Sequence, residues 1–407
     1  MAKKVFQKLH PPLLRGIVQA LSLIFHENRK ASKAIEFTLR SNKKWGSRDR
    51  SFIAEHTYDM VRWWRLLHFI NGSPLTQHHD SLLWSLLGIH LKLKEFNLPD
   101  WTEFKRVNAL DIEKALAEAK KERAVMQSIP DWLDKIGEDT FSEAWEDELT
   151  ALNTQAPVYL RYNSLKTDKA SLIKELSADG IEAVEVSKFP YAVRVLKRKN
   201  LFSTSAFKKG LFEVQDAGSQ SIAPFLEVEP GMRVIDACAG AGGKTLHLAA
   251  LTANKGSVIA MDTEAWKLQE LKKRAKRQGV HNVETREIIG SKTIKRLRES
   301  ADRVLLDVPC TGLGVLRRNP DAKWKINPEY LHELLDLQYD ILSRYAQMLK
   351  PGGKLVYATC SILSQENENQ VQRFLKAAEN YSLEKEITLS PFKNNTDGFY
   401  MALLNKA

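Results

Sequence analysis

From residue 231 onward the chain alternates short apolar runs, at 233–237, 257–261, 283–289, 303–308 and 354–359, with stretches of helical character. Strands covered by helices on both faces read as continuous apolar runs, so this alternation predicts a parallel, doubly wound α/β sheet of the Rossmann type. The pattern also says where function sits. Ligands of such sheets bind outside the carboxyl ends of the strands, so the residues closing each run carry the most weight.

The sheet accounts for less than half of the 407 residues, and a chain of this length holds two or three domains at ~100–200 residues each. Residues 1–150 read as an all-α domain. Phe52, Ile53, Tyr58, Val61, Trp64 and Leu67 recur at mixed three- and four-residue steps, and Asn71-Gly72-Ser73-Pro74 stops the helix. Further helical windows fall at 82–91 and 112–126, the second closed by Pro130. Residues 151–225 read as a small α+β module: a strand at 157–163, a helix at 169–177, and strands at 181–186 and 192–196. The sheet domain then occupies 226–407.

Lys and Arg number 61 against 50 Asp and Glu, a net charge of +11 that favours a polyanionic partner, nucleic acid before membrane. Much of it is concentrated. Residues 1–50 carry twelve Lys and Arg, Lys3 through Arg50, against Glu27, Glu36 and Asp49. That basic run is either a solvated face or a nucleic-acid contact, and as a contact it predicts salt-sensitive binding. No apolar run reaches the ~18–20 residues of a membrane span and the N-terminus lacks a signal-peptide core. Three cysteines make no disulfide framework, so a reducing cytoplasm is expected; the expected state is a monomer, which the cysteines do not decide.

The first run of the sheet ends in Asp236-Ala237-Cys238-Ala239-Gly240-Ala241-Gly242-Gly243-Lys244-Thr245 and passes into a helix. Glycines here let backbone approach a ligand, and the helix N-terminus offers unpaired N–H groups to an anion. A phosphate-binding loop would span 238–245 but has Cys238 at its first glycine; a dinucleotide fingerprint from Gly240 meets Thr245 where glycine or alanine is needed. The second run ends in Asp262, which can accept from both ribose hydroxyls or else cap the next helix. The loop with Asp262, lacking a full dinucleotide fingerprint, suits S-adenosylmethionine.

Cys310 closes the fourth run in Asp307-Val308-Pro309-Cys310, and Cys360 closes the fifth in Thr359-Cys360-Ser361. A lone cysteine is usually a small buried hydrophobe, but all three fall at the ligand edge. No Cys-x-x-Cys or clustered histidine accompanies them, so no metal is expected. Two thiols beside a methyl donor suit methylation of cytosine C5, a poor nucleophile. A thiolate adding to C6 makes C5 enamine-like, a carboxyl such as Asp307 assists at N3, and a second thiol serves loss of the C5 proton.

These residues resemble the RsmB/NOP2/Sun family of RNA cytosine-C5 methyltransferases, in DACAGAGGKT (236–245), DVPCTGLGVLRRNPDAKW (307–324), YATCS (357–361) and DGFYMALL (397–404), with LFEVQDAGSQ (211–220) ahead of the sheet. The resemblance covers about 155–407 strongly. It implies a class I methyltransferase sheet, an RRM-like module before it and a NusB-like RNA-binding domain over the N-terminal half, as in bacterial members acting on small-subunit rRNA. It implies that Cys360 attacks and Cys310 assists release, an order that the residues alone leave open. Cofactor contacts are implied for Cys238, Ala239, Gly240, Ala241, Gly242, Gly243 and Lys244, and for Asp262 and Asp307. Arg317, Arg318, Asn319, Lys323 and Trp324 would then lie beside the catalytic loop, to grip RNA or pack as a loop. Ala241 stands where the family has proline. Ile289 stands where it has an acidic residue near the adenine, a missing contact that costs roughly 0.5–1.5 kcal/mol.

The expected substrate is therefore rRNA of the 16S type, naked or within a ribosomal particle. The alternatives are tRNA with the same chemistry, a non-catalytic RNA-binding assembly factor, and a P-loop enzyme using Lys244.

Overall fold

Residues 9–407 are described by a computed structural model, so Lys3, Lys4 and Lys8 of the basic N-terminus lie outside the described residues. The chain divides into a helical unit, made of the residues up to Asn153 with Leu316–Pro328, and an α/β unit made of Thr154–Val315 with Glu329–Ala407.

In the helical unit, Pro11–Phe25, Ala31–Ser41, Ser47–Arg62, Trp64–Asn71 and Asp80–Leu93 bury Leu14, Ile17, Leu21, Ile53, Leu67 and Leu86 in one core. The amphipathic window through Trp64 is two helices, broken at Trp63 (φ −101°, ψ 23°). The break exposes helix-start donors that Ser128 satisfies: its Oγ accepts from Arg65 N at 2.9 Å. Gly72 (φ +65°) ends the second helix in the left-handed conformation, as the Asn71-Gly72 pair predicts. The window at 112–126 is also divided, into Ile112–Ala119 and Arg123–Met126, with nothing in the local sequence to mark the break.

Leu316–Pro328 corrects one expectation. Arg317 is 4% exposed and Lys323 1%. Lys323 Nζ donates to Arg62 O at 2.9 Å, and Trp324 Nε1 donates to Val61 O at 2.7 Å. Burial pushes the Lys323 pKa well below its ordinary value, with Arg62 adding to the effect. Lys323 and Trp324 thus tie this segment into the helices, and the burial of Arg317 and Lys323 favours loop packing over an RNA grip for those two. The interior carbonyls left open by helices need donors, and long cationic side chains reach them.

The α/β unit begins with a four-stranded antiparallel sheet of β1 (Val158–Tyr162), β2 (Ala183–Glu185), β3 (Ala192–Val195) and β4 (Phe212–Val214), in the order β2-β3-β1-β4. Leu160, Val193 and Phe212 from the sheet meet Leu172 and Leu176 of the helix Lys169–Ala178. The large sheet follows: β5 (Arg233–Asp236), β6 (Ser257–Asp262), β7 (Val283–Glu287), β8 (Ala301–Asp307), β9 (Leu349–Thr359), β10 (Tyr381–Leu389) and β11 (Phe399–Lys406). Its order is β10-β11-β9-β8-β5-β6-β7. The pairs among β5 to β9 are parallel, while β11 runs antiparallel to both β9 and β10. Strand order reverses between β5 and β8, which opens a crevice at their carboxyl ends.

Candidate active site

That crevice collects the residues singled out from the sequence. After β5, Ala239 N donates to Met261 O at 2.9 Å, turning the glycine loop across the end of β6. Gly242 (φ +88°) admits no side chain, since a Cβ would lie 2.4 Å from Leu271. A Cβ on Gly240 or Gly243, in contrast, would enter open space, so the loop presents bare backbone. Asp262 Oδ2 accepts from Gly240 N and Oδ1 from Glu264 N, both at 2.9 Å. Asp262 therefore braces the loop and precedes the start of the helix Ala265–Gln278 without being its cap residue. Ile288 N donates to Asp262 O at 2.9 Å, and Ile289, 86% exposed, offers an apolar face beside it.

Asp236 is buried at the loop's origin. Its Oδ2 accepts from Thr245 Oγ1 at 2.7 Å, while Oδ1 has no partner. Burial, reinforced by Asp307 and opposed by Thr245 and Lys244, raises its pKa to about 7. Lys244 Nζ donates to Asp307 Oδ2 at 2.5 Å. Burial works against the Lys244 charge, but Asp307, with Cys360 and Asp236 behind it, outweighs burial and holds its pKa above the ordinary value. An orphaned carboxylate oxygen, open space above two glycines and a helix start together fit a polar ligand with an amino-acid end.

β8 and β9 pair in parallel with Asp307 opposite Ala358, which brings the loops that follow them together. Cys310 Sγ and Cys360 Sγ lie 3.4 Å apart. The hydrogen bond to Cys360 raises the Cys310 pKa well above its usual range, aided by burial and by the charges of Cys360 and Glu366. At that distance either sulfur can donate to the other. Gly314 N donates to Cys360 O at 2.9 Å and Gly398 N to Gly314 O at 2.8 Å; a Cβ on Gly314 would lie 2.3 Å from Gly398 O. The DGFY segment at the start of β11 thereby backs the loop that follows Cys310. Cys238 stands apart from this pair: burial, then Asp236, Asp307 and Asp262, raise its thiol pKa well above the ordinary value.

Two groups of residues at the site were not anticipated. Glu366, 0% exposed, receives hydrogen bonds from the residues next to both cysteines. From the small sheet, Arg161 Nη1 donates to Gly243 O at 2.6 Å and to Gln215 Oε1 at 2.5 Å, while Arg274 Nη1 donates to Ala241 O at 2.6 Å. Glu213 on β4 pairs with Arg274 and Arg277. No sequence signal marks such residues, because most of their partners lie 28 to 82 positions away. Among the described residues, no group of three or more His, Cys, Asp or Glu is placed to hold a metal ion.

A mostly parallel seven-stranded sheet with an antiparallel strand inserted next to its edge, and a glycine loop and acidic strand end at its switch point, defines a class I methyltransferase. Residues 223–405 match the family described as 16S rRNA methyltransferase RsmB/F, and residues 129–201 match its ferredoxin-like domain. The probable ribosomal RNA small subunit methyltransferase B of Synechocystis is 35% identical over 301 residues, 69% of this chain and 67% of that one. The chain spans about two thirds of the length of the curated relatives it matches. The crystal structure of PH0851 superposes with a TM-score of 0.82 at 26% identity, covering 98% of this chain and all of that one. A methyltransferase homolog from Pyrococcus horikoshii gives 0.63 at 26% identity, over 70% of this chain and 98% of that one. The chain belongs to the RsmB/F family of methyltransferases.

Proposed function

We propose that this protein methylates C5 of a cytosine in small-subunit rRNA, using S-adenosylmethionine and a covalent bond between Cys360 and C6 of the base. The observation that carries the reading is the pair of thiols 3.4 Å apart, next to the Lys244–Asp307 couple at the switch point. The loop from Cys238 to Lys244, with Asp262 and Asp307, would hold the cofactor. When bound, S-adenosylmethionine supplies an electrophilic methyl group.

Cys360 gives its proton to water, the Cys310 S–H stabilises the resulting thiolate by hydrogen bonding, and that thiolate adds to C6 and makes C5 nucleophilic. Asp307 assists at N3 as charge develops on the ring, with Lys244 behind it. Once Cys360 is a thioether, two of the influences raising the Cys310 pKa are gone, its hydrogen bond to Cys360 and the Cys360 charge. Cys310 then gives its proton to water, and its thiolate takes the one on C5. The C5–H pair restores the C5–C6 double bond, and the C6–S pair returns to Cys360. A cysteine pair in working register favours this reading over a non-catalytic assembly factor.

The test is to incubate the protein and S-adenosylmethionine with unmodified small-subunit rRNA, small-subunit particles or tRNA, and to quantify 5-methylcytidine by nucleoside mass spectrometry. The proposal expects product from rRNA or particles. Product from tRNA alone, or from none of the three, contradicts it.

A further inference from the structure

We propose that Glu366 is a positioning residue that clamps the loop of Cys310 to the loop of Cys360 and sets the second cysteine for product release. This rests on the cysteine roles given above. Glu366 Oε1 accepts from Thr311 N at 2.8 Å and from Gln338 Nε2 at 2.9 Å. Its Oε2 accepts from Thr311 Oγ1 at 2.5 Å and from Ser361 Oγ. Four donors on one fully buried carboxylate is what such a charge requires, since an underbonded one would be costly in the interior. The residue's own backbone is fixed as well: Tyr357 OH donates to Glu366 O at 2.7 Å.

The placement of those donors is what makes the clamp specific. Thr311 follows Cys310 and Ser361 follows Cys360, so one side chain spans the two loops. Gln338, while donating to Glu366, also donates to Pro309 O at 3.0 Å. Both neighbours of Cys310 are therefore held by Glu366 or by its partner. Cys360 has other anchors, in β9 directly before it and in the Gly314 N–H on its carbonyl. Loss of the clamp loosens Cys310 more than Cys360, so it impairs release of the adduct more than its formation.

Glutamine can keep the geometry. Its carbonyl can take the place of Oε1 facing two N–H donors, and its amide N–H₂ can donate to the hydroxyls of Thr311 and Ser361, which then act as acceptors. Alanine removes the acceptor that the four donors share, and with it the link between the two loops. Wild type, Cys310→Ala, Glu366→Ala and Glu366→Gln are compared on small-subunit rRNA and particles, reading 5-methylcytidine and denaturation-resistant protein–RNA complex together. Glu366→Ala is expected to lose about 100-fold in kcat at unchanged KM for RNA and to accumulate the complex as Cys310→Ala does. Glu366→Gln is expected to turn over with little complex. Complex in Cys310→Ala but none in Glu366→Ala overturns the clamp alone, as does equal complex in the alanine and glutamine variants. Complex in neither Cys310→Ala nor Glu366→Ala overturns the reading beneath it. Should Glu366→Ala not fold, Gln338→Ala carries the test: accumulated complex supports the clamp, and wild-type release overturns it.

Discussion

Burial and neighbours distinguish the titratable residues at this sheet edge more sharply than residue type does. Burial and three carboxylates push the Cys238 thiol up, and the contact with Cys360 does the same to Cys310, so both thiols are held toward the protonated form. Asp236 gives a pH dependence that can be measured. A carboxyl whose pKa rises from 3.8 to about 7 on folding binds its proton more tightly in the native state. Its contribution to stability is thus intact below about pH 4 and declines as pH rises toward about 7. Asp236→Asn keeps an acceptor for Thr245 and removes the titration. The variant should flatten the fall in stability across that window, by on the order of a few kcal/mol, in chemical denaturation followed at successive pH values. An unchanged pH profile would contradict the assignment.

At the scale of elements, the small antiparallel sheet braces the glycine loop proposed to hold the cofactor. Arg161, on β1, holds the carbonyl of Gly243 at the start of the helix that closes the glycine loop. Arg161→Ala leaves the Gly243 carbonyl and the Gln215 amide oxygen without their buried donor, so it should cost about 2–5 kcal/mol in stability. The same variant should weaken S-adenosylmethionine in calorimetric titration; unchanged affinity would separate the small sheet from the cradle. β5 to β9 fall on the predicted runs, and β5, β6 and β8 were legible because buried parallel strands are largely apolar, whereas the edge strand β7 is polar and partly exposed. β10 was not legible: an edge strand exposed along most of its length carries polar residues and reads as surface. β11, buried nearly throughout, was recognised as a motif before it could be recognised as a strand. The clamp and the Arg161 bond escaped notice because they depend on tertiary contacts between distant positions.

For the molecule as a whole, charge in the sequence divides into structural and exposed parts once burial is known. Arg317 and Lys323 belong to the interior of the helical unit, and Arg50 Nη1 donates to Leu39 O at 2.9 Å, whereas Lys30, Lys43, Lys44 and Arg48 are exposed. Since Pro11–Phe25 and Ala31–Ser41 contribute buried core, RNA affinity is tested by charge removal and not by truncation. Replacing Lys30, Lys43, Lys44 and Arg48 with Gln should weaken RNA binding and lower its salt slope by roughly 1 for each phosphate no longer neutralised. An unchanged slope would make this face ordinary surface. The central claim is that the protein and its RNA pass through a covalent bond at Cys360. Its most direct measurement is denaturing electrophoresis of Cys310→Ala and Cys360→Ala after incubation with S-adenosylmethionine and unmodified small-subunit rRNA or particles. A complex that survives denaturation with Cys310→Ala, and none with Cys360→Ala, is the result predicted; a complex formed by Cys360→Ala would contradict it.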